Sequence, residues 1–167
     1  GIMPKVFVAE NVSGLAKGTA KGYLNDIMRQ LRESGYTVTC KILDAKRLGV
    51  PQSRTRTIFV GVRNDLWRDN MTGNTHPKPL DYMVNLNDAF KGLEFTEKDK
   101  QETDLTKYAI GGELKKLHMG GQSEKYFSLQ KAHPLKPSGC ITATAGNIGA
   151  AKVCHWDNRA FSVNEVK

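Results

Sequence analysis

The sequence lacks a long apolar run. No stretch approaches the ~20 consecutive apolar residues that a helix needs to cross a bilayer, and no basic, apolar, small-residue leader opens the chain. We therefore expect no membrane association. With 39% hydrophobic and 25% charged residues in 167 positions, the composition is that of one globular domain, or of one domain with a small insert.

Cysteine is scarce, and acidic residues are scarce in the first part of the chain. Cys40, Cys140 and Cys154 form no Cys-x-x-Cys pair, which argues against a disulfide framework and against a metal site. Residues 1–68 carry 12 Lys and Arg against 5 Asp and Glu, whereas residues 69–167 are nearly balanced, within a net charge of +8. This pattern is typical of a protein that contacts a polyanion through one region, although merely solvated lysines would give the same count.

The first 65 residues have the pattern of an α/β sheet. An apolar run without polar alternation predicts a short, fully buried strand over 5–10. Apolar residues at helical spacing predict a helix over 21–34 that ends at Gly35. Alternation over 36–42 and a second apolar run over 57–62 predict two more strands, which we expect to form an antiparallel pair.

The later part has a different character. Residues 70–79 are rich in Asn, Thr, Gly and Pro, as in a linker, and 94–104 is a charged run typical of a solvated loop or helix face. From residue 108, glycine pairs and short β-rich pieces such as 126–129 and 140–144 predict a small, irregular, mostly β insert. Ser162 and Glu165 form a capping box two residues before the sequence stops. One turn of helix is not stable alone, so we expect a piece of a longer protein.

A polar row follows the turn at Gly49-Val50-Pro51. Gln52, Arg54 and Arg56 alternate, so they can project from one side of an extended chain. Two adjacent guanidiniums repel unless an anionic group such as a carboxylate or phosphate, or a carbonyl oxygen, lies between them. Glu10, at the end of the first predicted strand, is the nearest strong candidate. An acid and two arginines at the ends of neighbouring strands predict part of an active site.

Taken in order and spacing, these segments resemble the sixth, seventh and eighth motifs of the DNA cytosine-5 methyltransferases. The resemblance is strong over 5–65, and two looser segments look like the end of the target-recognition region and the start of the ninth motif. The matching segments are Glu10-Asn11-Val12 with Gly14-Leu15, Gly35-Tyr36-x-Val38, Leu43-Asp44-Ala45, Gly49-Val50-Pro51-Gln52-x-Arg54-x-Arg56, Val60-Gly61-x-Arg63, and, more loosely, Pro137-Ser138-x-x-Ile141-Thr142 and Arg159-x-Phe161-Ser162-x-x-Glu165.

The resemblance implies an α/β fold that is part of a Rossmann-like, S-adenosylmethionine-dependent methyltransferase sheet, with a mostly β target-recognition insert. Residues 1–69 would be the C-terminal half of the catalytic sheet and 70–150 the target-recognition region. Residues 151–167 would return to the catalytic domain and start a truncated helix. The implied reaction transfers a methyl group from S-adenosylmethionine to carbon 5 of a cytosine flipped out of a specific duplex DNA site.

The resemblance also implies roles for individual residues. Glu10 would contact N3 and the exocyclic amine of the base, and because it must be partly protonated there, we expect a desolvated position. Arg56 would hold O2, and Arg54 would orient Glu10 or clamp a phosphate. Asn11 and Val12 would support the substrate site through packing and backbone bonds, and Gln52 would brace the turn.

The glycine-hinged loop over 119–126 offers a second site. Glycines allow such a loop to approach a groove closely, and Gln or Lys side chains can bond base edges there. We therefore name Gln122 and Lys125 as base-contacting candidates, and Thr142 as a contact to the DNA backbone. A plain surface loop is the alternative.

Two parts of the resemblance are missing. None of the three cysteines follows a proline, so the family's Pro-Cys nucleophile is absent, and no glycine-rich turn for the methionine part of the cofactor occurs. We expect S-adenosylmethionine to be bound mainly outside this chain, and the chain alone to be inactive. The implied setting is a bacterial cytoplasmic modification enzyme with a cognate restriction endonuclease. A non-catalytic DNA-binding module of the same fold and a tRNA-modifying relative remain alternatives.

Overall fold

The computed structural model describes residues 2–16, 18, 20–71, 75–142 and 153–167. The chain divides into two compact units, the first formed by Gly1–Leu48 and Thr55–Asp81 and the second by Gly49–Arg54 and Tyr82–Lys167. Within the described residues, no helix is both long and apolar enough to cross a membrane, and no group of three or more potential metal-ligating side chains comes together.

The first unit is a three-stranded sheet with one helix. β1 spans Val6–Val12, α1 spans Ala20–Glu33, β2 spans Tyr36–Asp44 and β3 spans Thr55–Arg63. The strand order is β1-β3-β2, and β3 runs antiparallel to both neighbours. The predicted helix, the last two strands and their antiparallel pairing are therefore confirmed.

One face of this sheet packs against α1. Tyr36, Val38 and Phe59 form the buried core, and the apolar side of α1 covers them. Phe7 meets the Tyr36 ring edge-on, with the ring centroids 5.1 Å apart. Phe7 on β1 lies directly opposite Gly61 on β3, and its ring lies across the glycine. A Cβ at position 61 would collide with that ring, so glycine is required there.

The first strand departs from its prediction. Instead of being fully buried, Val6, Val8 and Val12 are 51%, 69% and 58% exposed. Among the described residues β1 pairs with β3 alone, so its other edge has no hydrogen-bonded neighbour. An apolar run indicates that a strand is suited to burial. Whether the strand is buried depends on a neighbouring element that covers it.

The opposite face of the sheet is partly covered by the segment after residue 75. His76 is 5% exposed, and its Nε2 lies 3.0 Å from the Oγ1 of Thr39 on β2. The same Oγ1 lies 2.7 Å from the Thr75 hydroxyl. Burial, assisted by the positive charge of Lys41, lowers the pKa of His76. This segment shields β2 and leaves the β1 side of the face open.

The second unit is irregular, as predicted, but it contains more helix than expected. Its described residues form α2 (Leu86–Ala89), α3 (Glu97–Thr103), α4 (Ala109–Lys116), β4 (Gln130–Lys131), β5 (Val153–Cys154) and α5 (Val163–Val166). No strand forms over 126–129 or 140–142, and residues 143–144 lie outside the described part. α3 falls inside the charged run at 94–104, which fits a solvated helix face.

A shared core joins the early and late parts of the second unit. It is formed by six buried side chains: Leu105, Ile110, Leu114, Leu129, Cys154 and Ala160. The capping box that opens α5 is present, with Ser162 and Glu165 exchanging side-chain to backbone bonds. The predicted division into a catalytic part (1–69), a target-recognition region (70–150) and a return to the catalytic domain (151–167) concerns function. The packing of the second unit does not test it, so it stays a prediction.

Candidate functional site

Glu10 and Arg56 form an ion pair in the first unit. The pairing of β1 with β3 places Val12 opposite Arg56, so Glu10 is a diagonal neighbour of Arg56 on the same sheet face. The Nε of Arg56 lies 2.5 Å from the Oε1 of Glu10, and Arg56 Nη1 donates to the Thr55 carbonyl at 2.8 Å. Strand periodicity therefore does bring together one acid and one arginine of the predicted set.

The expected desolvation of Glu10 is not found. Its side chain is 51% exposed and that of Arg56 is 24% exposed. Both belong to the face of the sheet that α1 does not cover, on the side where β1 has a free edge. The carboxylate therefore remains in contact with water, and its position is accessible to a ligand from the open face.

Asn11 and Val12 make local backbone contacts. The Val12 amide donates to the Asn11 Oδ1 at 2.8 Å, and the Val12 carbonyl accepts from the Thr57 hydroxyl at 3.3 Å. Alternation along β1 turns Asn11 to the face opposite Glu10. These contacts fix the end of β1, and a supporting role of the two residues at a substrate site stays a prediction.

Gln52 and Arg54 belong to the second unit. The Ser138 amide donates to the Pro51 carbonyl at 2.8 Å, and the Ser53 amide donates to the Ser138 carbonyl at 2.9 Å, so the backbone of Gln52 lies in a short parallel bridge. Arg54 Nη1 lies 3.5 Å from the Cys140 Sγ. The convergence of Arg54 with Glu10 and Arg56 stays a prediction, because they lie in different units.

Hydrogen bonds of a buried serine fix the conformation of the predicted recognition loop over 119–126. Ser123 is buried, donates to Glu113 at 2.9 Å, and accepts from the amides of Lys125 and Tyr126. Lys125 is exposed, with its Nζ 5.4 Å from the centre of the Tyr126 ring. The loop is therefore a fixed turn that presents Lys125 to solvent.

The other two DNA-binding candidates are also exposed. Gln122 accepts a bond from the Gln130 side chain at 3.2 Å and forms an antiparallel bridge with the same residue. Thr142 is exposed at the end of the described segment 75–142. All three candidates are exposed, and their contact with DNA stays a prediction.

Sequence reasoning missed two residues that organise the second unit. Ser138 is 2% exposed and holds the 49–54 turn through both of its backbone groups. Lys131 is 7% exposed although it carries a charge. Pro137-Ser138 belongs to the looser resemblance and could have indicated Ser138, whereas no local pattern marks Lys131.

Comparison with known proteins decides the family. The family model described as C-5 cytosine-specific DNA methylase matches residues 1–160. The chain belongs to this family. The methylase chain is 38% identical to the Type II methyltransferase M.Eco47II of Escherichia coli, over 97% of its own length and 39% of that protein. It is 30% identical to the Type II methyltransferase M.NgoFVII of Neisseria gonorrhoeae, over 83% of its own length and 37% of that protein.

Solved structures share the fold of the methylase chain. A methyltransferase of Entamoeba histolytica matches 98% of the chain and 49% of its own, with a TM-score of 0.57 and 14% identity. A DNMT2 variant of Spodoptera frugiperda matches 89% of the chain and 40% of its own, with a TM-score of 0.54 and 20% identity. The chain thus spans less than half of these proteins, and its mixed α/β fold is that of the methyltransferases.

Two cavities lined by described residues do not fit S-adenosylmethionine. A cavity of about 290 Å³ in the second unit has a mainly apolar lining, and its one carboxylate, Glu165, is already bonded to Arg159 and to the Ser162 amide. A groove beside α1 offers Asn25 and Arg32 but no carboxylate for a ribose. The cofactor, whose ammonium, carboxylate and ribose each need a polar partner, is not matched by either.

Proposed function

We propose that the chain is the base-contacting part of a DNA cytosine-5 methyltransferase, acting on a cytosine that has left the duplex. The observation that carries this proposal is the Glu10–Arg56 pair on the open face of the sheet. Its two members belong to the Glu-Asn-Val and Gln-x-Arg-x-Arg segments of a chain in the C-5 cytosine-specific DNA methylase family. Acting on DNA is also what the description of the matching family indicates.

The pair has the donors and acceptors that the reacting edge of cytosine requires. The ring presents an amine donor, the N3 acceptor and the O2 acceptor, and negative charge grows on N3 and O2 when a nucleophile adds to carbon 6. Glu10 accepts from the amine and supplies a proton or hydrogen bond at N3, while Arg56 donates to O2. The arriving base covers the exposed carboxylate and removes water from it.

The remaining candidates position the DNA in this proposal. Arg54 orients Glu10 or clamps the phosphate of the extruded nucleotide, and Gln52, held in its bridge to Ser138, braces the turn that carries Arg54. Gln122 and Lys125 contact base edges, and Thr142 contacts the backbone. Asn11 and Val12 fix the end of β1 beneath the base.

Two components of the reaction come from elsewhere in the assembled enzyme. None of the cysteines follows a proline, and neither of the two cavities described above fits the S-adenosylmethionine that would donate the methyl group. We infer that a longer polypeptide supplies both, that the chain alone does not methylate, and that the enzyme works beside a restriction endonuclease.

The test is Glu10→Gln in the longer polypeptide. The amide keeps the size of the side chain but cannot deliver a carboxylic proton, so turnover on duplex DNA should fall by two to four powers of ten. Duplex binding should stay within a few-fold of wild type. Incorporation of labelled methyl groups measures turnover, and fluorescence anisotropy of a labelled duplex measures binding.

Glu33→Gln is the matched control. Glu33 is an exposed carboxylate of the same unit, paired with Arg29 at 3.1 Å on α1, and its loss should leave turnover unchanged. Equal turnover of Glu10→Gln and wild type would refute the assigned role. Methyl transfer to tRNA but not to duplex DNA would favour the tRNA-modifying alternative.

A further inference from the structure

A small basic cavity lies beside the recognition loop. It has a volume of about 150 Å³, lies wholly within the second unit, and we call it the Lys131 cavity. Its lining includes three basic side chains and no carboxylate. The lining residues used below are Gly120, Gln130, Lys131, His133, Lys136 and Gly139.

Lys131 is a buried cation without a buried anion. It is 7% exposed, and its Nζ donates to the Leu117 carbonyl at 2.9 Å. Within the described residues no carboxylate comes close enough to form an ion pair with it. The residues outside the described part include no Asp or Glu. A buried ammonium is costly unless it is paired, so the cavity is electrostatically suited to an anion.

Two more donors face the same space. The Nδ1 of His133 accepts from the Leu135 amide at 3.1 Å, which in the neutral ring assigns the proton to Nε2 and makes that atom a donor. Lys136 is exposed at the rim, and its ammonium adds a second full charge. The lining also holds the Oε1 acceptor of Gln130 beside Gly139, but it carries no negative charge, so the three basic side chains suit the oxygens of a phosphate.

The walls of the cavity require glycine. Gly120 has a φ of +81°, a conformation that disfavours other residues. A Cβ at Gly139 would collide with the Oε1 of Gln130 and press on Val153. At Gly120 the missing side chain leaves the wall of the cavity open, whereas the space beside Gly139 is taken by the Gln130 side chain.

We propose that the Lys131 cavity binds a backbone phosphate of the DNA. The proposal rests on the proposed function and adds a specific contact to it. Gln130 both lines the cavity and donates to Gln122, so a phosphate bound there would lie next to the residue that we assign to base contacts. Phosphate contacts fix the register of a protein on its duplex, and base contacts then read the sequence.

The first experiment compares two single lysine changes in the 167-residue chain. Lys136→Gln removes a charge at the cavity, and Lys115→Gln removes one from the exposed surface of α4. Anisotropy of a labelled duplex across a salt series gives the slope of log Kd against log salt. Lys136→Gln should reduce that slope by about one, as loss of one phosphate contact does, and Lys115→Gln should leave it unchanged.

The second experiment uses inorganic phosphate as the probe. Phosphate should raise the melting temperature of the chain more than sodium chloride of equal ionic strength. Lys131→Met should lose part of the additional rise in melting temperature that phosphate gives over sodium chloride. The rise that phosphate causes in any protein, because the salt is excluded from the protein surface, would be retained. Circular dichroism checks that the variant is folded, and if Lys131→Met does not fold, Lys136→Gln is the variant for the same comparison.

The outcomes separate this proposal from the one on which it rests. Equal salt slopes for the two lysine variants, with normal duplex binding by wild type, would overturn the phosphate site and leave the proposed function intact. No duplex binding at low salt would overturn both. Stabilisation by phosphate that depends on Lys131, without duplex binding, would show a site for a free anion and would also overturn the DNA contact.

Discussion

At the scale of single residues, the Glu10–Arg56 pair contributes little to stability. An ion pair between groups that are 51% and 24% exposed contributes about 0–1 kcal/mol, because water screens it and two side chains lose freedom. Opening such a pair for a base therefore costs little. In the absence of a base, the pair keeps the carboxylate and the guanidinium at the same end of the sheet.

The three cysteines should differ sharply in reactivity. Cys140 is exposed with Arg54 Nη1 at 3.5 Å from its Sγ, whereas Cys154 is fully buried and burial raises its pKa to about 12. Burial also raises the pKa of Cys40. A thiol reagent at neutral pH should modify Cys140 first and Cys154 only on unfolding, because the thiolate is the reactive form.

Peptide mass spectrometry after a series of labelling times measures this order. Cys140→Ser is the control, and it should remove the fast phase without changing the other two. Labelling of Cys154 in the native chain as fast as Cys140 would contradict its position in the core.

At the scale of elements, prediction succeeded where the signal was local. Apolar residues at helical spacing and a following glycine were enough for α1, which ends before Gly35 with its φ of +90°. The exposure of β1 could not be predicted, because burial depends on which elements lie beside a strand. Likewise, the glycine pairs after residue 108 predicted an irregular, mostly β insert, but Gly111 lies in α4, where its missing Cβ makes room for the Leu105 carbonyl.

The difference between local signals and contacts of distant segments also explains which parts of the candidate site could be predicted. Glu10 and Arg56 could be predicted from strand periodicity and from motifs, because each lies in a recognisable segment. The clamp of Ser138 on the 49–54 turn joins residues more than 80 positions apart, and the burial of Lys131 depends on Leu117 and on the strand pairing of β4. Contacts between distant segments leave no periodic signal in the sequence.

The segment before and within α5 should make the second unit sensitive to acid. His155 is 3% exposed and packs near Arg159, Glu165 and Asp157, and burial, followed by the charge of Arg159, lowers its pKa to about 4. Between pH 6.5 and 4 the unfolded chain therefore binds the proton that the folded chain excludes. The free energy of unfolding should fall as pH falls through this range, with a slope of up to about 1.4 kcal/mol per pH unit.

Glu165 should extend that loss to lower pH. Burial alone would raise its pKa, but hydrogen bonds from Arg159 and the Ser162 amide more than offset this, so its pKa is lowered and its stabilisation is lost on protonation. Urea unfolding followed by Trp156 fluorescence, in a Trp67→Phe background, measures the slope. His155→Gln should flatten it above pH 4.5, and an unchanged slope in that variant would contradict the assignment.

At the scale of the whole molecule, the positive charge is distributed over both units. Along the sequence, nearly all of the excess of basic over acidic residues lies in residues 1–68. Between the two compact units, that excess is divided more evenly. The first unit has 12 basic and 7 acidic residues and the second has 13 and 10, so their net charges are +5 and +3. A polyanion can therefore be attracted to the first unit and to the second unit alike.

The 167-residue chain should therefore bind duplex DNA weakly, with a steep dependence on salt. Each phosphate neutralised contributes about 0.9 to the slope of log Kd against log salt, so a slope above about +3 is expected if both units take part. Anisotropy of a labelled duplex between low and physiological salt measures it, with an equal mass of tRNA as competitor. Labelled methyl transfer in the same samples should be absent. Binding that does not respond to salt, or no binding at low ionic strength, would contradict a DNA-contacting role for the basic surface of this chain.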